Sequence, residues 1–302
     1  MSSNRADVRD FLVTRRASIT PQQAGLTFCG GNRRVPGLRR EEVAMLAGVS
    51  ADYYTRLEKG NLAGVSDSVL EAIAGALQLS EAERLHLFDL ARTANTNPAR
   101  AARHHQPPEV RPGIRLILNG MTDTPAFVRN GRLDILAINP LGRALYSPVF
   151  ASPGRPANLA RFQFFDPAAR NFYPSFEDSA RTTVELLRTE AGRDPFNPSL
   201  TGLIGELSTR SEEFRALWAA HNVRLHRTGV KHFRHPAVGH LDLMFEAMAL
   251  EADQGLTLTA YTAEPGTPSH DALRLLASWA ATHQRDDFTQ SSQDDHMQGA
   301  AP

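Results

Sequence analysis

The pattern of apolar and polar residues changes about one third of the way along the chain. Up to residue 94, apolar residues recur three and four positions apart, which is the period of an amphipathic helix. The last helical segment opens with Ser80 and Glu83, the pair of a capping box. The predicted segments are 8–16, 39–47, 51–58, 69–77 and 80–90. The first third of the chain is therefore predicted to be a bundle of five helices.

Strand-like runs appear only after residue 112. The first two flank the step Asn130-Gly131, a dipeptide typical of hairpin turns. The five runs are 125–128, 132–138, 230–233, 240–250 and 256–263. Helical periods occur at 140–146, 178–191, 200–207, 212–220 and 271–281. We expect one antiparallel sheet with helices packed on it, and hence an α+β fold of two domains.

Composition marks the boundaries between these parts. Residues 95–112 are rich in Asn, Pro, Arg and His and lack an apolar period, which is typical of an interdomain linker. Residues 284–302 are polar and end in small residues, which favours a disordered tail. The prediction is an N-terminal domain over 5–94 and a C-terminal domain over 113–283.

Charge is distributed unevenly although the net charge of the chain is zero. The first 60 residues hold ten Lys and Arg and six Asp and Glu, a net charge of +4. From residue 106 onward there are 19 basic and 22 acidic residues, a net charge of −3. This split suits a small nucleic-acid-binding head on a near-neutral body, although proteins without such a partner also show it.

Three features bear on the compartment. The single cysteine, Cys29, cannot form an internal disulfide, which favours a reducing environment. No apolar run reaches the roughly 18 residues that a membrane helix needs. The first residues are polar and lack the apolar core of a secretory signal. We therefore expect a cytoplasmic protein without a membrane segment.

The stretch from Leu38 to Gly60 has the features of two short helices joined by a tight turn. Gly48 suits a left-handed turn position, and Ala44 is small where the second helix must approach. Ser50 is a typical N-cap residue for the second helix. The inward positions are apolar: Val43, Ala47, Val49, Tyr54 and Leu57. This pattern predicts a helix-turn-helix whose second helix enters the major groove of DNA.

The candidate DNA contacts lie on the outward side of this motif. Arg56 suits a bidentate contact to guanine, Asp52 can accept from cytosine, and Thr55 can touch a thymine methyl group. Arg39 and Arg40, with Arg33 and Arg34, form a basic cluster suited to phosphates, although a solvated surface explains the last two equally well. The candidate set is Arg39, Arg40, Ser50, Ala51, Asp52, Tyr53, Thr55, Arg56 and Lys59.

The motif resembles the phage-repressor and Cro-type (XRE) helix-turn-helix family, whose domain is a five-helix bundle. The longer stretch 33–60 is similar to one subgroup, the MmyB-like regulators of actinobacteria and other bacteria. Long motifs in the second half carry the same resemblance: 158–174, 191–195, 205–224, 231–241 and 261–280. The resemblance covers about residues 5–281. It implies a PAS-like C-terminal domain that holds a fatty-acid-like ligand.

The implied ligand pocket gives a second set of candidates, which are apolar or aromatic. They are Phe127, Ile135, Ile138, Leu145, Phe162, Phe165, Leu187, Trp218 and Phe245. Core packing is the simpler explanation for any single ring. The chain departs from the family pattern at Ile138, where Trp is expected, and at His232, where Arg or Lys is commoner. The first departure changes the lining of the pocket.

Other chemistry finds little support in the sequence. His232, His235 and His240 lie close together, but no cysteine or carboxylate completes a metal-ligand spacing, so no metal site is expected. The sequence lacks the nucleophile-elbow, P-loop and dinucleotide-binding motifs, so we expect no enzyme, no catalytic residues and no further cofactor.

The resulting hypothesis is a homodimeric transcriptional regulator. It binds a double-stranded DNA operator of two half-sites and responds to a small apolar ligand in its C-terminal domain. Two alternatives remain open: a constitutive DNA-binding dimer with a purely structural C-terminal domain, and an enzyme domain fused to the helix-turn-helix.

Overall fold

A computed structural model describes residues 2–26, 35–95, 109–151, 156–195, 197–219 and 227–280. Cys29, Arg33, Arg34, most of the predicted linker and the predicted tail lie outside the described residues. The chain divides into two compact units. The first comprises the described residues of Met1–Gln106 and Val184–Leu225, and the second those of Pro107–Thr183 and His226–Pro302.

The N-terminal part of the first unit is helical, as predicted. Its helices are α1 Ser2–Ser18, α2 Arg40–Leu46, α3 Ala51–Glu58, α4 Asp67–Ala76 and α5 Glu81–Ala94. The capping box of α5 is present, since Ser80 Oγ accepts from the Glu83 N–H and the Glu83 carboxylate accepts from the Ser80 N–H. Apolar side chains from all five helices form one core, which includes Val8, Phe11, Val43, Tyr54, Leu57, Ile73 and Leu87.

The helices that follow, as far as the structure describes them, are α6 Pro112–Gly120, α7 Pro140–Leu145, α8 Leu159–Phe165, α9 Ala168–Phe172, α10 Phe176–Arg193, α11 Pro198–Arg210, α12 Glu212–Ala219 and α13 over 268–280. The last residues of α10, with α11 and α12, belong to the first unit. The Thr93 hydroxyl on α5 donates to the Gly192 carbonyl on α10. The domain bounds predicted from the sequence remain a prediction.

The second unit is built on a five-stranded sheet, in which all described strand pairs are antiparallel. The strands are β1 Ala126–Arg129, β2 Ile135–Ile138, β3 Thr228–His235, β4 Gly239–Ala249 and β5 Thr257–Thr262. Their order across the sheet is β2-β1-β5-β4-β3, so β2 and β3 are the outermost strands. The predicted α+β fold with an antiparallel sheet and packed helices is confirmed.

The β1–β2 hairpin is confirmed, but its turn is wider than the two-residue turn that Asn130-Gly131 indicates. Arg129 pairs with Ile135, which leaves residues 130–134 in the loop. The Asn130 side-chain oxygen accepts from the N–H groups of Arg132 and Asp134. The left-handed residue is the buried Leu133, with a φ of 66°. Side-chain hydrogen bonds from Asn130 therefore shape this loop in place of a glycine turn.

The two faces of the sheet are covered differently. The inner face packs on α7, α8, α9 and α13 through a largely aromatic core that includes Phe127, Tyr146, Phe162, Phe172, Tyr173, Phe233 and Tyr261. On the outer face, Leu118 of α6 packs against Val128 of β1 and Leu258 of β5. The outer sides of β3 and β4 carry mostly exposed residues.

Candidate nucleic-acid interface and ligand core

The turn between α2 and α3 has the geometry that a helix-turn-helix requires. Gly48 has a φ of 65°, the left-handed conformation that costs glycine least. The Val49 N–H donates to the Ala44 carbonyl at 2.9 Å, and the Gly48 N–H donates to the Met45 carbonyl at 3.2 Å. These bonds form a Schellman motif, which ends α2 and redirects the chain within two residues.

Helix α3 begins at a side-chain cap. Ser50 Oγ accepts from the Tyr53 N–H at 3.1 Å, and Asp52 places a negative charge in the first turn, where the helix dipole favours it. Tyr54 and Leu57 are fully buried in the core of the first unit. Their burial fixes the rotation of α3 and leaves its opposite side in solvent.

The candidate side chains of α3 lie on this exposed side or at its edges. Ser50, Ala51, Asp52, Arg56 and Lys59 are exposed, and Tyr53 and Thr55 are half-buried. The Arg56 guanidinium lies 4.9 Å from the centre of the Tyr53 ring, a cation–π distance. The contact holds the guanidinium toward the N-terminal end of α3, which is the end that reads bases in this class of motif.

A buried carboxylate, absent from the residues predicted from the sequence, connects α3 to two other helices. Glu58 is 2% exposed and accepts from Arg16 of α1 and from Arg40 of α2, each at 2.7 Å. Burial alone would raise the pKa of Glu58, but the hydrogen bonds from the two guanidinium groups outweigh it and lower the pKa. The helical period carries the missed signal, because Tyr54, Leu57 and Glu58 share one face.

The two arginines at the start of α2 differ in their surroundings. The Arg40 Nε–H donates to the Glu58 carboxylate, although 51% of the Arg40 side chain stays exposed. Arg39 precedes the helix, is exposed, and donates its backbone N–H to the Glu42 carboxylate. Arg39 therefore presents its side chain to solvent, whereas Arg40 also holds the helices together.

The ligand candidates fall into two groups. Phe127, Leu145 and Phe162 are buried in the aromatic core of the second unit. Ile135, Ile138 and Phe245 are partly buried against that core, and Phe165 is half-buried at the end of α8. Leu187 and Trp218 belong instead to the first unit. The structure thus brings seven of the nine candidates into one unit and leaves two outside it.

The aromatic core of the second unit contains polar groups that are absent from the predicted ligand set. The hydroxyl groups of Tyr146 and Tyr261 lie 2.6 Å apart. The Lys231 ammonium lies 4.8 Å from the centre of the Tyr173 ring and 5.8 Å from that of Phe233. Burial, with the positive charge of Arg129, lowers the pKa of Lys231 to about 8. The alternation of β3, which puts Lys231 on the same side as Phe233, is the signal that would have found it.

Of the three neighbouring histidines, two lie on the outer face of the sheet and one on the inner face. His232 and His240 are exposed, whereas His235 is buried and its Nε2 lies 3.0 Å from the Ala144 carbonyl. The Ala237 N–H donates to His235 Nδ1. Within the described residues, no group of three or more His, Cys, Asp or Glu side chains converges as metal ligands would.

A pocket of about 160 Å³ lies within the first unit. Its walls come from α1, α5 and the segment 188–218, and they include His86, Arg188 and Trp218. The Arg188 guanidinium stacks 4.2 Å from the centre of the Trp218 ring. Burial lowers the pKa of Arg188 to about 10. Trp218 therefore lines a pocket of the first unit.

Comparison with protein families supports both parts of this description. The family profile of a helix-turn-helix domain matches residues 14–87. The profile of the MmyB-like transcription regulator ligand binding domain matches residues 110–276, which is more than half of the chain. A search of curated proteins gave no match. Among the described residues, no helix has the length and apolar character to cross a membrane.

Proposed function

The chain belongs to the family of MmyB-like transcription regulators, and from this premise we propose that it acts as a homodimer controlled by an acyl ligand. Members of this family are transcription regulators, and the helix-turn-helix domain makes this chain a DNA-binding one. The proposal adds that α3 reads base edges in an operator of two half-sites. It also adds that the second unit binds a small apolar ligand with an acidic head group, similar to a fatty acid.

One observation carries the DNA-binding part of the proposal. Helix α3 buries Tyr54 and Leu57 and leaves Asp52, Arg56 and Lys59 in solvent, where nothing in the described residues covers them. An exposed helix after a glycine turn fits the major groove, which is wide enough to admit it. Arg56, held over Tyr53, is a fork of donors that matches the O6 and N7 acceptors of guanine.

Lys231 supports an acidic ligand in the second unit. Its ammonium faces aromatic rings, and within the described residues no carboxylate lies at ion-pair distance from it. A positive charge in such surroundings is destabilised until an anion joins it. A carboxylate head at Lys231 would leave its alkyl chain among apolar side chains such as Phe127, Phe162 and Phe245. This arrangement suits a fatty acid better than a neutral hydrocarbon.

Selection of duplexes from a random pool tests the DNA-binding part. We expect the full chain to enrich a sequence with two related half-sites, since a two-fold dimer imposes its symmetry on the operator. Failure to enrich any sequence at low ionic strength would contradict sequence-specific recognition, because electrostatic binding is strongest there.

Native mass spectrometry of the purified chain tests the ligand part. We expect an added mass that corresponds to a long-chain acid and disappears after delipidation. Operator affinity measured with and without that acid then distinguishes a sensor from a constitutive dimer. A ligand changes the affinity only if it binds the DNA-competent and incompetent states unequally. Equal affinity in both conditions would favour a purely structural second unit.

A further inference from the structure

Part of the outer face of the sheet is exposed and partly apolar. Where α6 covers this face, Val128 and Leu258 are buried. Over β3 and β4, the described residues leave Val230, Met244 and Met248 exposed by 55%, 48% and 42%. Strand β3 is also an outermost strand of the sheet. Val230 lies on this edge strand and the two methionines on its neighbour β4, and a group of exposed apolar side chains commonly marks a surface that another chain covers.

The charges on this face follow an order along the strands. Residues that pair across an antiparallel ladder share a face, so β3 and β4 together present four rows. The rows are Arg234 with His240, His232 with Asp242, Val230 with Met244, and Thr228 with Glu246. The His232 Nδ1 and Asp242 Oδ1 atoms lie 2.6 Å apart, which pairs the second row internally. The face therefore runs from a basic row to an acidic row, with the His232–Asp242 row and an apolar row between them, and Met248 lies just beyond Glu246 on β4.

A pattern of this kind is complementary to itself. A two-fold axis that lies in the contact plane, perpendicular to the strands, reverses the direction of one copy against the other. It places the Arg234 row of each copy over the Glu246 row of the second copy. The apolar row of each copy then lies next to the axis, opposite the His232–Asp242 row of the second copy. An axis along the strands would place like charges together. Charge therefore selects one of the two arrangements.

We propose that the outer face of β3 and β4 is the surface through which two copies of this chain associate. The proposal rests on the proposed function only in that a dimer is needed to occupy two half-sites. A second copy fits this surface better than DNA does, because DNA would need basic charge along the whole face. Two-fold contacts of this kind also close after two copies, which agrees with a regulator that forms dimers.

Two charge-reversal variants test the surface. Arg234→Glu makes both ends of the face acidic, and Glu246→Arg makes both ends basic, so like charges meet across the axis in either homodimer. We expect each variant to raise the dimer dissociation constant about tenfold or more in sedimentation velocity. Both side chains are exposed, so the fold is expected to persist, which circular dichroism checks. Arg274→Glu, an exposed change on α13, is the matched control and is expected to have no effect.

Mixing the two variants gives the sharper test. In a mixed dimer, the two basic ends of Glu246→Arg meet the two acidic ends of Arg234→Glu. Mixing is therefore expected to restore association, as is the double reversal within one chain. An unchanged dissociation constant in both single variants would overturn the proposal, as would an unassociated parent chain or a mixture that does not associate.

Binding to a single half-site separates this result from the DNA-binding proposal. The variants are expected to keep the parent's affinity for an isolated half-site, because α3 is unchanged. Loss of dimerisation with intact half-site binding supports the surface. A parent chain that dimerises through this face but selects no operator would contradict the proposed function alone.

Discussion

At the scale of single residues, buried charges show most clearly what the sequence does not reveal. The helical period places Glu58 on the inner face of α3, but a carboxylate there would ordinarily be expected in solvent. The structure resolves the conflict by supplying Arg16 and Arg40 from other helices. These partners lie 42 and 18 residues away along the chain. No local pattern identifies a partner at such separations.

Removing the buried carboxylate is expected to destabilise the helix-turn-helix. Glu58→Ala leaves Arg16 and Arg40 without their shared acceptor, and the loss of one partner of a buried pair typically costs about 3–5 kcal/mol. Urea denaturation measures the change. The control is Glu71→Ala, which breaks the exposed ion pair to Arg84 and should cost less than about 1 kcal/mol. Equal effects of the two changes would contradict a structural role for Glu58.

The same carboxylate predicts a dependence of stability on pH. The pKa of Glu58 is lower in the folded state than in the unfolded chain, so its contribution is complete above the unfolded pKa of about 4.5. The contribution falls as the pH drops through the folded pKa. In the Glu58→Ala variant, the loss of stability below about pH 4.5 should therefore be shallower than in the parent. Urea midpoints of the parent and the variant, measured from neutral to acidic pH, provide the comparison. If the two midpoints fell in parallel with pH, the buried ion pairs of Glu58 would not contribute as expected.

Lys231 predicts a pH dependence of ligand binding. Because its pKa in the free protein is about 8, the ammonium is charged at neutral pH and loses its proton as the pH rises. Affinity for a long-chain carboxylate, measured by calorimetry, should fall above about pH 8. Lys231→Met should abolish this dependence and bind the acid weakly at every pH. If the affinity depended on pH in the same way in parent and variant, Lys231 would not bind the head group.

At the scale of secondary-structure elements, the sequence predicted which segments are helices and strands better than what they contact. The helical period identified 178–191, 200–207 and 212–220, and the structure has α10, α11 and α12 there. An amphipathic stripe shows which side of a helix is buried but not which neighbour buries it. The packing of the end of α10 against α5 was therefore not predictable. The wide β1–β2 loop escaped prediction because its shape comes from the Asn130 side chain.

Two glycines on these helices are expected to respond in opposite directions to alanine. A Cβ at Gly192 would lie 2.4 Å from Nδ1 of His86, a buried ring that also packs edge-on against Phe11. Because that ring cannot easily move, Gly192→Ala should destabilise the first unit by about 1–3 kcal/mol. At Gly202 nothing lies within 4 Å of a Cβ. Gly202→Ala should therefore stabilise the first unit by up to about 1 kcal/mol, because alanine has the higher helix propensity.

Thermal unfolding of both glycine variants checks these signs. A stabilising Gly192→Ala change would show that α10 does not approach α5 as closely as the structure places it. Operator affinity measured on the same samples shows whether this contact also affects DNA binding.

At the scale of the whole molecule, the family and the α+β architecture followed from the sequence because they rest on long motifs and on periodicity. The profiles match 14–87, before the predicted linker, and 110–276, which begins at the last residues of that linker. The division into units was less accessible, because the described residues of 184–225 are included in the ligand-binding profile yet belong to the first unit. Contacts between segments distant in sequence decide such membership.

A homodimer predicts a fixed distance between half-sites. Two recognition helices related by a two-fold axis reach successive major grooves about 34–36 Å apart, or about 10 base pairs. Inserting about five base pairs between the selected half-sites turns one of them to the opposite side of the duplex and should abolish cooperative binding. An insertion of about ten base pairs returns both half-sites to the same side of the duplex and is the control. Binding that does not change with the spacing would indicate that the two helix-turn-helix domains bind independently.

The central claim is that α3 reads bases, and the affinity of Arg56→Ala for two duplexes tests it most directly. On the selected operator, the variant should lose about 1–3 kcal/mol of binding free energy and accept other bases at one position. On a scrambled duplex of equal length it should lose much less. Lys59→Ala, at the end of the same helix, should weaken both duplexes equally if it contacts only phosphate. An equal loss on both duplexes for Arg56→Ala, or no loss on either, would contradict base recognition by this helix.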